Sequence, residues 1–262
     1  MFNRITKLFL QTRINIYQNL NICKLSNGNI VPPLQKYGNI KEDSTVPQGK
    51  IYELRTYTLY PKNTKDFVKM TEELMHLRMS HSKLAGFWTS ELGGMNEVVH
   101  IWEYDNYAHR TKVRKALAED ERWQNEFIKK AAPMWMDQKN SIMMLLPWSQ
   151  LITPSQKGIY EMQIFNMNSH AAIWTNRLKA AIELQTSFVE EHKSVLIGAF
   201  LTIFGYHNTV VIFWQHQNFD ICSIGRLNLL SESNKAIMNA FYHEVGSAYS
   251  KGLIPHKVSP LQ

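Results

Sequence analysis

Ile51-Tyr52-Glu53-Leu54 returns as Ile159-Tyr160-Glu161-Met162, 108 residues further on. From Ser82 the offset is 112. Ser82, Leu84, Gly86, Gly93, Asn96, Val98, Val99, Trp102, Asn106, Arg114 and Leu117 match Ser194, Leu196, Gly198, Gly205, Asn208, Val210, Val211, Trp214, Asn218, Arg226 and Leu229. Eleven identities across positions 82–117 exceed chance several-fold, which marks an internal repeat. The four extra residues fall between the matched blocks, in a segment that reads as a helix. Four residues are about one turn, so the helix lengthens without rotating its buried face.

Each unit reads β-α-β-β-α-β. In the first, Lys50–Leu59 is rich in Tyr, Thr and Ile, as strands are. Pro61 and Asn63 open a helix whose Phe67, Met70, Leu74 and Leu77 recur at helical spacing. Leu84–Leu92 and Glu97–Tyr104 are strands joined by Gly93-Gly94-Met95-Asn96, where Gly and Asn tolerate positive φ. Helical segments follow over Ala108–Ala118 and Arg122–Met136, then a strand over Ser141–Leu146. The second unit repeats this order with Gly158–Phe165, Ser169–His192, Val195–Phe204, Thr209–His216, helix to about Tyr249, and a short strand near Leu253–Val258. The expected fold is α+β: two tandem ferredoxin-like units at residues 50–151 and 158–262, forming a dimeric-α/β-barrel-type fold.

Strand alternation sets Val99 and Ile101 on one face and His100, Trp102 and Tyr104 on the other. In the first strand Glu53, Arg55 and Tyr57 alternate with Tyr52, Leu54 and Thr56. Helices are expected over Val99 and Ile101. The aromatic face must meet something else shielded from water. The two sheets stacked as a barrel within one chain would shelter it, or a homodimer would, and either leaves a semi-polar lumen as a ligand cavity.

The chain has 262 residues, 44% of them hydrophobic and 19% charged, which excludes collagen-like, coiled-coil and wholly disordered classes. No apolar run reaches the roughly 18–20 residues of a transmembrane helix. Cys23 and Cys222 cannot make a disulfide framework or a cysteine-based zinc site, and suit a reducing compartment. The net charge of +7 is uneven. Residues 1–40 carry Arg4, Lys7, Arg13, Lys24 and Lys36 and no acid, so the remaining chain is nearly neutral and nucleic acid is not an expected partner. The leader reads as a mitochondrial presequence, with Phe2, Ile5, Phe9, Ile16 and Leu20 in one helical arc, followed by a linker to residue 49.

The run Ser80-His81-Ser82-Lys83-Leu84-Ala85-Gly86-Phe87-Trp88, then Gly93-Gly94, then Val99 to Asn106 and Ala108 to Leu117, resembles the NIPSNAP family. Trp123 after Asp120 and the exit Leu146-Pro147-Trp148 also fit. The resemblance covers about residues 50–262, more strongly in the first unit; in the second, Cys222 stands where Arg110 does. It implies a dimeric α/β-barrel fold, mitochondrial association, and links to vesicular transport and to recruitment of autophagy machinery. It attaches no firm reaction.

No nucleophile elbow, P-loop, dinucleotide fingerprint or His-Glu-x-x-His motif is present, so no cofactor is expected. No metal is expected either: His76 and His81 are about 140° out of phase on a helix, and His100 is matched by Ile212. The candidate ligand residues are Glu53, Arg55, His100, Trp102 and Tyr104, with Arg110 and Arg114 four apart on one helical face. The two arginines read as an anion clamp or as ion pairs to nearby Asp105 and Glu103. Trp148-Ser149-Gln150-Leu151 has the aromatic-x-x-aliphatic form of autophagy-adaptor ligands, making Trp148 and Leu151 candidate partner contacts. The expected function is a binding or adaptor protein. The alternative is an enzyme using the barrel lumen, such as a cofactor-independent oxygenase or a haem binder.

Overall fold

The computed structural model describes residues 49–191 and 194–262; the expected presequence and nearly all of the expected linker, with Cys23, lie outside the described residues. The strands are β1 (Ile51–Leu59), β2 (Lys83–Leu92), β3 (Glu97–Tyr104), β4 (Trp135–Leu145), β5 (Ile159–Met167), β6 (Val195–Phe204), β7 (Thr209–His216) and β8 (Val245–Pro255). They close one antiparallel barrel in the order β1-β3-β2-β8-β5-β7-β6-β4. Within each half the order is fourth-first-third-second. The fourth strand of one half meets the second strand of the other at both seams, β2·β8 and β4·β6. Closure is therefore intramolecular.

The main helices lie outside the strands: α1 (Thr64–Met79), α2 (Tyr107–Glu119), α3 (Ala171–Glu191), α4 (Phe219–Asn228) and α5 (Lys235–Tyr242). A π-helical turn, Trp123–Ile128, follows α2. Asn106 and Asn218 occupy matching positions because each caps a helix, their side chains accepting from the amides of His109 and Ile221. Gly93 and Asn96, like Gly205 and Asn208, carry the positive φ angles of the two hairpins. The matched pairs Glu53–Trp102 and Glu161–Trp214 face one another across their ladders in the same register.

The fourth strands start earlier than expected, at Trp135 instead of Ser141 and at Val245 instead of Leu253. Their leading halves are exposed and polar, with Asp137, Gln138, Lys139 and Asn140 in sequence. No alternation marks them as strand. Backbone pairing to β1 and β5 holds them instead.

The faces of the barrel are exchanged relative to the expectation. Tyr52, Leu54, Val99, Ile101 and Trp88 point inward and meet Tyr160, Met162, Phe200, Val211 and Phe213 from the other half. Trp88 lies between Phe213 and Tyr160, ring centroids 5.3 and 5.4 Å away. The lumen is thus packed with apolar side chains; one end opens into a cavity of about 100 Å³ lined in part by the paired Glu97 and Lys251. His100, Trp102 and Tyr104 lie on the outer face, under the helices, among Phe67, Leu117, Trp123 and Phe127. The helices contribute aromatic and guanidinium groups that satisfy a polar-aromatic face. The middle of the closed barrel offers few partners for a charged group, so it takes the face that carries Val99 and Ile101 together with apolar and aromatic side chains.

Candidate functional site

The outer face of the first half carries an ordered chain of polar groups. Glu53, on β1, is 1% exposed. Arg110, from α2, grips it with both ends of its guanidinium, Nε to Oε2 at 3.1 Å and Nη2 to Oε1 at 2.9 Å. Asn140 donates to Oε1 and Tyr104 to Oε2. Burial pushes the Glu53 carboxyl up, but the bond from Arg110, the charge of Arg55 and the bond from Asn140 outweigh it and hold it down to about 2.

Tyr104 in turn accepts from Arg78 Nη2 at 2.8 Å. Arg78 is itself buried, bonded to Ser82 and stacked 4.0 Å from the centroid of the Trp102 ring. Trp102 donates to His100 Nδ1 at 2.7 Å. Burial first, and then the charges of Arg55 and Arg78, hold His100 well below its ordinary range, so the imidazole is neutral. Because Nδ1 accepts, the hydrogen-bond network assigns the proton to Nε2, which has no acceptor among the described residues.

Of these groups Arg78, Trp102 and His100 line a cavity of about 250 Å³ between the sheet and the helices, together with Arg55, Tyr57, Arg114, Trp123, Phe127 and Trp135; Glu53, Tyr104 and Arg110 stand behind that lining. Arg55 reaches Gln138 through Nη2 at 3.3 Å, while its buried Nε has no partner; neither has the buried Nε1 of Trp135. Arg55, Arg78 and Arg114 form no carboxylate ion pair among the described residues, since Glu53 is taken by Arg110. The cavity therefore has aromatic walls, surplus positive charge and several donors without acceptors. Such a site receives an anion attached to an apolar body.

Arg110 and Arg114 separate. The first pairs with Glu53, not with Asp105 or Glu103, whose partners are His109 and the lysines Lys50 and Lys83. The second lines the cavity. Glu53, Arg55, His100, Trp102, Tyr104, Arg110 and Arg114 are all brought together, but outside the barrel and not in its lumen. Arg78 was missed, although it lies 11 residues after Phe67, only about 20° off the apolar face of α1. His81, by contrast, is engaged with Asp120 at 2.7 Å.

Trp148 and Leu151 are both half-buried, Trp148 against the helix-side core of the second half and Leu151 against the lumen core. The backbone of the same segment is bonded to β6, Ile152 N to Ile197 O at 2.9 Å. A partner adding a strand here would have to displace these contacts.

The second half lacks the charge. Gln163 stands for Arg55, Ile212 for His100 and Phe165 for Tyr57, around a cavity of about 300 Å³. Trp214 Nε1 consequently has no partner, where Trp102 had His100. Arg226, the counterpart of Arg114, turns to Glu161 instead.

A single-chain barrel of two β-α-β-β-α-β sets, with its polar cavity beneath the helices of one set, defines a ferredoxin-like protein of the dimeric α/β-barrel type. The chain belongs to the NIPSNAP family, whose model matches residues 52–150. It is 38% identical over 219 residues to Protein NipSnap homolog 3B of Mus musculus, covering 82% of this chain and 87% of that one. It is 37% identical, with the same coverage, to Protein NipSnap homolog 3A of Homo sapiens. A crystal structure of a putative monooxygenase from Fusobacterium nucleatum superposes with a TM-score of 0.59 over 80% of this chain and 93% of that one. At 9% identity that likeness is of fold.

Proposed function

We propose that this NIPSNAP protein binds a small organic anion, a carboxylate or similar group on an aromatic or apolar body, in the cavity of its first half. The observation that carries the reading is the set of three guanidinium groups, Arg55, Arg78 and Arg114, lining one aromatic-walled space with no carboxylate partner among the described residues. Arg78 is buried and Arg55 half-buried, and desolvated charges cost free energy unless paired; an entering anion supplies the pair, with the exposed Arg114 at the edge of the space. His100 Nε2–H, Arg55 Nε–H and Trp135 Nε1–H are further donors awaiting an acceptor. At about 250 Å³ the space lies below the roughly 300–1,000 Å³ typical of drug-sized ligands, which favours a smaller one.

The test uses salicylate against its neutral analogue benzyl alcohol, read by calorimetric titration. Salicylate is expected to bind and benzyl alcohol not to. The double variant Arg55→Gln, His100→Ile takes the residues found at the matching positions of the second half, so it is expected to fold. Its affinity for salicylate should fall about 10–100-fold, the equivalent of one lost charged hydrogen bond. Equal affinity in both proteins would remove the assignment.

We further propose that the protein acts in mitochondria, where a family role with protein partners in vesicular transport or mitophagy would operate. The acid-free basic leader of residues 1–40 supports that compartment. A fluorescent fusion of the full chain is expected to co-localise with mitochondria and to lose that distribution when residues 1–40 are deleted; an unchanged distribution would refute import by the leader.

A further inference from the structure

The second half departs from the first at a few positions, and three of them converge. Glu161 matches Glu53, but His216 stands for Tyr104 and Cys222 for Arg110. The ligand atoms of Glu161, His216 and Cys222 all lie within 4.8 Å of one another. At these two positions the first half sets a guanidinium and a phenol against its buried glutamate and the second a thiol and an imidazole, while Arg226 reaches Glu161 from one helical turn further on.

His216 is 2% exposed and its Nε2 makes no hydrogen bond among the described residues; Glu161 Oε2 stands 3.4 Å away. Nδ1 lies 2.9 Å from Ser194 Oγ, which can accept its proton. That tautomer leaves the Nε2 lone pair facing a carboxylate oxygen, an arrangement that a cation between them resolves. Arg226 holds Glu161 through Oε1, and Gln163 donates to Oε2, orienting the carboxylate as outer partners of metal ligands do. A cleft of about 310 Å³, lined in part by Leu92, Gly93, Cys222 and Arg226, reaches the cluster from outside.

We propose that Glu161, His216 and Cys222 form a Zn²⁺ site, with solvent from the cleft at the fourth position. One thiolate, one imidazole and one carboxylate form a donor set that suits Zn²⁺ over Mg²⁺ or Ca²⁺, which prefer oxygen alone. Three protein ligands and an open position leave the ion accessible to a small molecule in the cleft. The site is independent of the anion cavity of the first half, which uses none of these residues. Sequence spacing hid it because its ligands come from β5, the end of β7 and α4, at separations no metal motif prescribes.

Untagged full-length protein is titrated with Zn²⁺ and with Co²⁺. One equivalent of Zn²⁺ is expected by native mass spectrometry, and Co²⁺ is expected to give a near-ultraviolet thiolate charge-transfer band. His216→Gln and Cys222→Ser should each weaken Zn²⁺ binding by more than about 100-fold, beyond the effect of losing an outer partner. Cys222→Ala removes only the thiol and suits a helix, so it is expected to keep the native circular dichroism spectrum while binding no metal. A Cys23→Ser control should retain the band. Absence of stoichiometric Zn²⁺ binding, or a charge-transfer band that survives in both Cys222 variants, overturns the proposal.

Discussion

Glu53→Ala is expected to cost about 3–5 kcal/mol of folding stability, read from the midpoint of chemical denaturation. The carboxylate is buried and takes bonds from Arg110, Tyr104 and Asn140. Removing it leaves Arg110 and Arg78 in the same region with no counter-charge, and an unpaired buried charge costs more than the pair contributed. Removing Arg110 as well should restore part of the loss, because the orphaned guanidinium goes with it. A single-variant cost under about 1 kcal/mol would show that solvent already screens the site. The same group sets a pH dependence. Its carboxyl lies near 4.5 in the unfolded chain and is held down to about 2 in the fold, so its contribution is complete above about pH 4.5. As pH falls towards 2 the unfolded state takes the proton first, and on the order of 2–3 kcal/mol is lost, allowing for the partial exposure of Arg110. The alanine variant should lose this part of the dependence and keep the part set by Glu103, Asp120 and Glu161, whose carboxyls are also held below their ordinary range.

Gly86→Ala is expected to destabilise by about 1–3 kcal/mol, lowering Tm by roughly 2–12 °C for a chain of this size. A Cβ at this position would stand 2.0 Å from Trp88 Cη2. The Trp88 ring cannot swing aside, because it is fully buried in the lumen between Tyr160 and Phe213. Gly198, at the matching position, offers a built-in comparison: a Cβ there meets Phe200 at 3.1 Å, a gap that a few tenths of an ångström of movement relieves. Gly198→Ala should therefore cost clearly less than Gly86→Ala. Equal costs would mean that the lumen is softer than its packing implies. The pair also explains why glycine recurs in both halves: each sits at a register shift of the second strand, where the aromatic ring two residues on lies across its backbone.

Much of this fold was legible from the residues. The recurrent Gly, Asn and Trp positions revealed the order of elements, because hairpins, caps and bulges require those residue types locally. Strands β6 and β7 fall where their continuous apolar runs put them. The leading half of β4 was not legible, since Asp137 to Asn140 are strand only because β1 lies beside them. The site was half legible. Its residues on β1, β3 and α2 could be named, whereas Arg78 came into view only when α1 was laid on the sheet.

By itself the sequence determined which side chains share a face, through the two-residue period of a strand, and which loops must turn. It could not determine which face turns inward, because that period is the same seen from either side. The choice fell to tertiary structure: closing the barrel left the middle of its interior with few partners for a charged or strongly polar group, so Val99 and Ile101 went in. His100, Trp102 and Tyr104 went under helices that carry guanidinium groups to meet them.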